Sequence, residues 1–343
     1  MKTEKRIITL TLAGLAFAFS CGNAYKIDIP KWDYDNDGKD QTETELPVMP
    51  DPSTPKVPTL NDPDGKWRTS TYNGLTLYSF DGWDETSGAY QNVNVLEVDL
   101  NNPRYGIKFA YIAGGDSTSH MVLKEPEAIA GINGGYELEA IYVKVNNSII
   151  SEVSLPSNHL RFWKHEAAIF STGERNVGIF YAGKDGTKAI ETYQALDADN
   201  IIASAPMLVN DYDPIGEEFV DASYTEEQLG QFDYEDYRNH QGVRHPRTVY
   251  ALTDDNDLLL ITIDGRTPGD REGMNAAEVT RFIVKYFNPR WALNMDGGGS
   301  TTLCVKGYGT PNDVVNYPTD KGRNDHIGQR KVSTHLLVLD HGE

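Results

Sequence analysis

RTVYALTDDNDLLLITIDGR, residues 247–266, is the stretch from which the fold is read. Two runs rich in β-branched and apolar residues, Arg247–Thr253 and Leu258–Ile263, flank Asp254-Asp255-Asn256-Asp257, which is turn chemistry, so the pair reads as a β-hairpin. With those four residues as the loop, the antiparallel register pairs Arg247 with Asp264 and His245 with Arg266. Side-chain alternation then places all four polar groups on one face at the open end of the hairpin.

Outward from the hairpin, residues 275–287 read as an amphipathic helix. Asn275 and Glu278 have capping-box spacing, Val279, Phe282, Ile283 and Tyr286 form an apolar stripe, and Asn288-Pro289 stops the run. A strand over 291–295 follows. Strand, helix and strand in that order predict a crossover with the two strands parallel and adjacent. Asp264-Gly265-Arg266 and Asn294-Met295-Asp296 then lie together at the C-terminal strand ends, where open sheets bind ligands. Gly297-Gly298-Gly299 comes next, and three consecutive glycines are entropically costly between two strands unless backbone N–H groups approach a ligand there, with Ser300 and Thr301 as further donors. No Gly-Lys-Ser or Gly-Lys-Thr follows, so the segment is not a P-loop. Ile132-Asn133-Gly134-Gly135-Tyr136 is a second strand end running into a permissive turn. The expected fold class is α+β: a single compact domain of mixed, largely antiparallel β-sheets with a few flanking helices, its site at a shared rim.

The N-terminus has a different character. Lys2, Lys5 and Arg6 precede an apolar stretch from Ile7 to Phe19, too short to span a bilayer and characteristic of an export signal. Residues 1–20 are expected to be the signal peptide, and Cys21, just past the apolar run, the site of lipid attachment and so of membrane anchoring in a bacterial cell envelope, periplasmic or at the cell surface. Residues 21–65 read as this cysteine and an acidic, Pro- and Thr-rich disordered linker. Within it, Asp33 to Gly38 imitates the first half of a calcium loop, but Thr44 occupies the twelfth position where glutamate belongs. Residues 66–343 form the folded domain. The stretch from Asp211 to Asp236 carries no Lys or Arg and reads as a solvated surface insertion or, functionally, a lid over a site.

Only two cysteines are present; with Cys21 lipidated, Cys304 has no intramolecular partner and stability must come from an apolar core. A net charge of −20 argues against nucleic acid as a partner, because phosphate-backbone contacts need clustered Lys and Arg. It leaves room for a small anionic substrate held by a few arginines. His residues are few and scattered, no two-metal spacing is visible, and no cofactor motif is present, so neither metal nor cofactor is expected.

Taken together, Ile132 to Tyr136, Pro246-Arg247-Thr248, Asp264-Gly265-Arg266 and Asn294-Met295-Asp296-Gly297-Gly298-Gly299-Ser300-Thr301 resemble the phosphodiester glycosidase family, in its order along the chain. Ala205-Pro206-Met207-Leu208-Val209 and Gly328-Gln329-Arg330-Lys331-Val332 add weaker echoes. Three features depart from the family pattern: Glu137 where an aromatic residue is usual, Gln329 in place of glutamate, and the acidic stretch from Asp211. The resemblance implies hydrolysis of a sugar-1-phosphodiester, of the N-acetylglucosamine-1-phospho-sugar type, on an extracytoplasmic glycan or polymer. Arg247 and Arg266 would clamp the phosphodiester through bidentate hydrogen bonds. Asp296, and second to it Asp264, would activate water or support an oxocarbenium-like transition state. Asn133, Gly134, His245, Asn294, Gly297, Gly298, Ser300, Thr301 and Arg330 complete the expected substrate contacts. Two other readings stay open: a glycan-binding surface lipoprotein without turnover, and a phosphodiesterase that cuts the P–O bond.

Overall fold

The hairpin forms, but one residue out of the expected register. In the computed structural model, which describes residues 59–342, Arg247–Leu252 pairs antiparallel with Asp257–Ile263, and Arg247 lies opposite Ile263. The loop is three residues long, because Asn256 adopts φ +63° and lets the Thr253 N–H close on the Asp257 carbonyl at 3.1 Å while the Asn256 N–H closes on the Thr253 carbonyl at 3.2 Å. A left-handed residue at the end of a short loop is what such a hairpin requires, and Asn tolerates it better than most residues. A slip of one residue exchanges the two faces of a strand. Arg247 therefore shares the face of Val249, Ala251 and Ile263, and Asp264 the opposite face with Thr262 and Tyr250; the expectation that Arg247, Asp264, His245 and Arg266 share a face is corrected.

This hairpin is the middle of a seven-stranded antiparallel sheet with the spatial order Trp67–Tyr72, Leu75–Asp84, Ala89–Asp99, Asp257–Ile263, Arg247–Leu252, Trp291–Asn294, Met207–Asn210. The helix Ala276–Tyr286 forms between two of these strands, with Asn275 and Glu278 making both hydrogen bonds of the expected capping box. The strands it connects run parallel, but Arg247–Leu252 lies between them and pairs antiparallel with each. They are not neighbours as expected, yet their C-terminal ends do share one edge of the sheet.

The central strands of the sheet are buried on both faces, which explains their near-continuous apolar runs. Val95, Val249, Ala251, Leu259 and Ile261 pack against Val279, Phe282, Ile283 and Tyr286 of the helix, and Trp67 meets Phe282, Tyr286 and Phe287 edge-on or tilted at 5.3–5.8 Å. On the other face Leu77, Leu96, Tyr250, Leu258 and Leu260 join a second core with residues of two further antiparallel sheets. One has the order Leu303–Val305, Ala128–Asn133, Val332–Asp340, Tyr105–Asp116; the other Ser148–Glu152, Tyr142–Val145, Asn200–Ser204, Ala167–Ser171, Val177–Tyr181. The fold is α+β, as expected. The acidic stretch from Asp211 is built into it: Phe219, Leu229 and Asp236 are buried, and short helices at Glu226–Leu229 and Tyr237–Gly242 order its second half. The export signal, Cys21 and the calcium-like stretch lie outside the described residues.

Candidate active site

Three chain segments meet behind Asp296. The strand Ala128–Asn133 ends in Gly134, whose Cβ, if it had one, would sit 2.4 Å from Thr334 Oγ1. Only glycine lets the two backbones come that close, and its carbonyl then accepts the Asp296 N–H at 3.2 Å. Asn133, fully buried, donates from Nδ2 to the Asp296 carbonyl at 2.7 Å, while its Oδ1 accepts from the Thr302 N–H and Thr248 Oγ1 at 3.0 and 2.9 Å. Asn294 donates to the Tyr136 hydroxyl at 2.9 Å and to the Ala205 carbonyl at 2.8 Å. The two asparagines are thus orienting groups: they fix the backbone on either side of Asp296 and anchor Tyr136 beside it.

Asp296 opens into a cavity of about 270 Å³ whose lining includes Tyr136, Glu137, Lys164, Tyr234, Glu235, His240, Gly297, Ser300 and Arg330, toward the small end of ligand-binding cavities, roughly 300–1,000 Å³. Burial pushes the Asp296 carboxyl up to about 6, against the opposing influence of the Ser300 hydrogen bond and the charges of Lys164 and Arg330. Glu137 goes the other way. Burial alone would raise it, but the charge and hydrogen bond of Lys164, together with Arg161, hold it below the usual glutamate range. Its Oε1 accepts from Arg161 Nη1 at 2.7 Å and from Lys164 Nζ at 2.8 Å. Lys164 is 2% exposed; its ammonium also reaches Glu235 Oε2 at 2.7 Å and lies 4.7 Å from the centre of the Tyr136 ring. His240, buried and surrounded by the charges of Lys164 and Arg247, is held well below the usual histidine range, with burial the main cause.

Four expected residues, Asp296, Gly297, Ser300 and Arg330, line this cavity. Arg266, at φ +66°, reaches its edge above Gly298, itself at φ +60° with a hypothetical Cβ 3.0 Å from Arg266 Nη2. The Thr301 hydroxyl is spent internally, accepting from Thr248 Oγ1 at 3.3 Å. Two assignments are corrected. Arg247 is 1% exposed, and its guanidinium donates to the Met274, His240 and Val243 carbonyls and to Gln241 Oε1, all at 2.9 Å; it braces the chain ahead of the hairpin instead of facing a phosphate. Asp264 is buried away from the cavity, accepting from Asn316 Nδ2 at 2.9 Å and the Tyr317 N–H at 3.0 Å, and burial raises it to about 6 despite those bonds. The one-residue register slip puts the two on opposite faces of the sheet, and each is taken up by its own internal partners. His245 lies beneath Tyr234.

Lys164, Glu235, Tyr234 and His240 were not foreseen. Lys164 sits in Arg161-Phe162-Trp163-Lys164-His165-Glu166, a stretch without motif, and a lysine buried by two distant glutamates has no local signature. A larger groove of about 450 Å³ lies elsewhere, but its Lys108 and Lys124 are engaged by Glu125 and Asp116. Among the described residues no group of three or more His, Cys, Asp or Glu side chains is arranged to hold a metal ion.

Residues 126–339 match the profile of the phosphodiester glycosidase family. No curated protein matches the chain. Among solved structures, it resembles the catalytic domain of zebrafish N-acetylglucosamine-1-phosphodiester alpha-N-acetylglucosaminidase, auto-inhibited by its pro-peptide, with a TM-score of 0.52 and 17% identity over 82% of this chain and 86% of that one. A hypothetical protein from Synechocystis aligns with a TM-score of 0.49 and 10% identity over 80% of this chain and 64% of that one.

Proposed function

The chain belongs to the phosphodiester glycosidase family, and from that premise we propose that it hydrolyses a sugar-1-phosphodiester, with Asp296 as the carboxylate that activates water. The observation that carries this reading is the pair of acids in one small cavity whose surroundings push them apart, Asp296 up to about 6 and Glu137 down. Opposed shifts of this kind accompany division of labour between two carboxylates. The glycosyl group enters the cavity, where the ionised Glu137, pinned by Lys164 and Arg161, stabilises positive charge building on the ring. The phosphate lies at the rim, toward Arg266 and Arg330, because the Lys164 ammonium inside the cavity is already held by the Glu137 and Glu235 carboxylates. Water attacks the anomeric carbon, its proton passes to Asp296, and the bond from that carbon to the phosphoryl oxygen breaks. The phosphate monoester leaves as an anion stable enough to need no proton. The export signal and the Cys21 anchor expected from the sequence would direct this chemistry to glycans or polymers outside the cytoplasm.

A screen of sugar-1-phosphodiesters against the purified protein, run in oxygen-18 water, tests the reading. Turnover with label in the sugar is the expected result. Label in the phosphate would make the protein a phosphodiesterase cutting P–O, and glycan binding without turnover on any substrate would make it a lectin-like surface protein.

A further inference from the structure

Two features that set this chain apart from the family pattern, Glu137 and the acidic stretch from Asp211, meet on one ammonium. Lys164 Nζ donates to Glu137 Oε1 at 2.8 Å and to Glu235 Oε2 at 2.7 Å. The lysine side chain is 2% exposed, whereas those of Glu137 and Glu235 are 30% and 37% exposed and line the cavity. A buried ammonium is costly unless its partners stay in place. Glu137 is held by Arg161 as well; Glu235 pairs with no other cation among the described residues.

The part of the stretch that carries Glu235 depends on such a tie. Over residues 221–235 the backbone hydrogen bonds among the described residues close within 221–236. Leu229 is its one buried residue, and Phe232 leans on Arg238 of the helix that follows. Segments with few buried apolar contacts and only local backbone bonds open most readily. Toward the rest of the cavity wall, three hydrogen bonds hold it among the described residues. Trp163 Nε1 donates to the Glu235 carbonyl at 3.0 Å and Arg266 Nη2 to the Tyr234 hydroxyl at 3.5 Å. The third, from Lys164, is the shortest and the one that joins two charges. With Tyr234 and Glu235 swung away, the cavity loses one side and fills with water, which weakens every charge interaction inside it.

We propose that Lys164 is a positioning residue that latches residues 221–235 against the cavity and fixes Glu137 with the same ammonium, so that closing the site and setting Glu137 in place are one event. The effect on turnover rests on the role given to Glu137 above; the latch itself does not.

Hydrogen exchange of the full chain, followed by mass spectrometry, reads the latch without turnover. In Glu235→Ala and in Lys164→Met, peptides covering 221–236 should exchange about tenfold or more faster than in the wild type, the scale of one lost charge-assisted hydrogen bond. The helix Ala276–Tyr286 should keep its protection. Glu235 is partly exposed, so Glu235→Ala carries the measurement if Lys164→Met fails to fold. Unchanged exchange over 221–236 in Glu235→Ala overturns the latch. Steady-state kinetics on a sugar-1-phosphodiester read the second part. Glu235→Ala frees the wall but leaves Lys164 on Glu137, so its loss should fall mainly on KM; Lys164→Met releases both carboxylates, so its kcat should be about tenfold lower still. Equal kcat in the two variants overturns the coupling to Glu137. A protein that turns over no sugar-1-phosphodiester takes that coupling down with the hydrolase reading, while the exchange result still decides the latch.

Discussion

At the scale of single residues, the cavity assigns opposite fates to two aspartates and two arginines that look alike in the chain. Asp296 faces the cavity and Asp264 does not; Arg266 is unpaired at a rim and Arg247 is spent inside. Asp296→Asn should lower kcat by ~10²-fold, as loss of general-base assistance does, with KM nearly unchanged. Because Asp296 must be ionised to accept the proton and is pushed up to about 6, kcat/KM of the wild type should rise with pH through about 6. A profile that falls there instead would make Asp296 the proton donor and reverse its role. Arg247→Lys keeps the charge but cannot reproduce the fork that reaches three carbonyls and Gln241. It should lower stability by about 3 kcal/mol, visible in the melting temperature, with phosphate affinity of the folded fraction unchanged. An unchanged melting temperature with weakened phosphate binding would restore Arg247 to the substrate.

At the scale of elements, the helix Ala276–Tyr286 shows how a local signal becomes a tertiary joint. Asn275 and Glu278 satisfy each other's N–H groups at 2.9 and 3.0 Å, and the same Glu278 carboxylate receives Arg244 Nε and Nη2 at 3.0 and 2.7 Å. Asn275→Ala removes one cap and should cost ~1 kcal/mol. Glu278→Ala also strands the Arg244 guanidinium and should cost about 2 kcal/mol or more. Urea midpoints compared at constant m-value check the order; equal losses would mean that Arg244 contributes nothing. The hairpin carries the converse lesson. The strands and the turn are written plainly in residues 247–263, yet whether the loop holds three residues or four turns on the left-handed conformation of Asn256, and that single choice decides which face Arg247 and Asp264 occupy.

At the scale of the whole molecule, four histidines are held neutral by burial: His165 and His240 below the usual range, His245 lowered to about 3 and His335 to about 4. Unfolding frees them to take up protons, so below their ordinary value of 6.5 the unfolded state binds more protons and stability falls as pH drops. Asp264 and Asp296 act in the opposite sense. Raised from 3.8 to about 6, they bind protons in the folded state first, so their contribution declines as pH rises through that window. Between pH 6.5 and 6 the histidines act almost alone, and below it they outnumber the aspartates. The melting temperature should therefore fall from pH 7 to pH 5; a rise would show that the aspartates dominate.

What the sequence by itself determined is what local chemistry encodes. The capping box and apolar stripe of the helix, the two strands of the hairpin, and the glycine run after Asp296 are each legible because propensity, periodicity and turn chemistry act over a few residues. The order of the motifs along the chain was enough for a resemblance to the family, which the match over residues 126–339 then showed. What only the tertiary structure decided is which side chains share a space. Lys164, Glu137 and Glu235 come from three separate segments, and a buried ammonium between two carboxylates is stable only once all three have been brought together, so nothing near Lys164 announces it. The strand Arg247–Leu252 inserts between two strands that the crossover rule would make neighbours, because pairing with the hairpin partner on one side and with Trp291–Asn294 on the other satisfies the backbone hydrogen bonds of both its edges. Asp264 and Arg247 were separated for the same reason that makes strands readable at all: side chains alternate with a period of two, and one residue of register, set by the backbone angle of a single asparagine, moves a charge from one face of the sheet to the other.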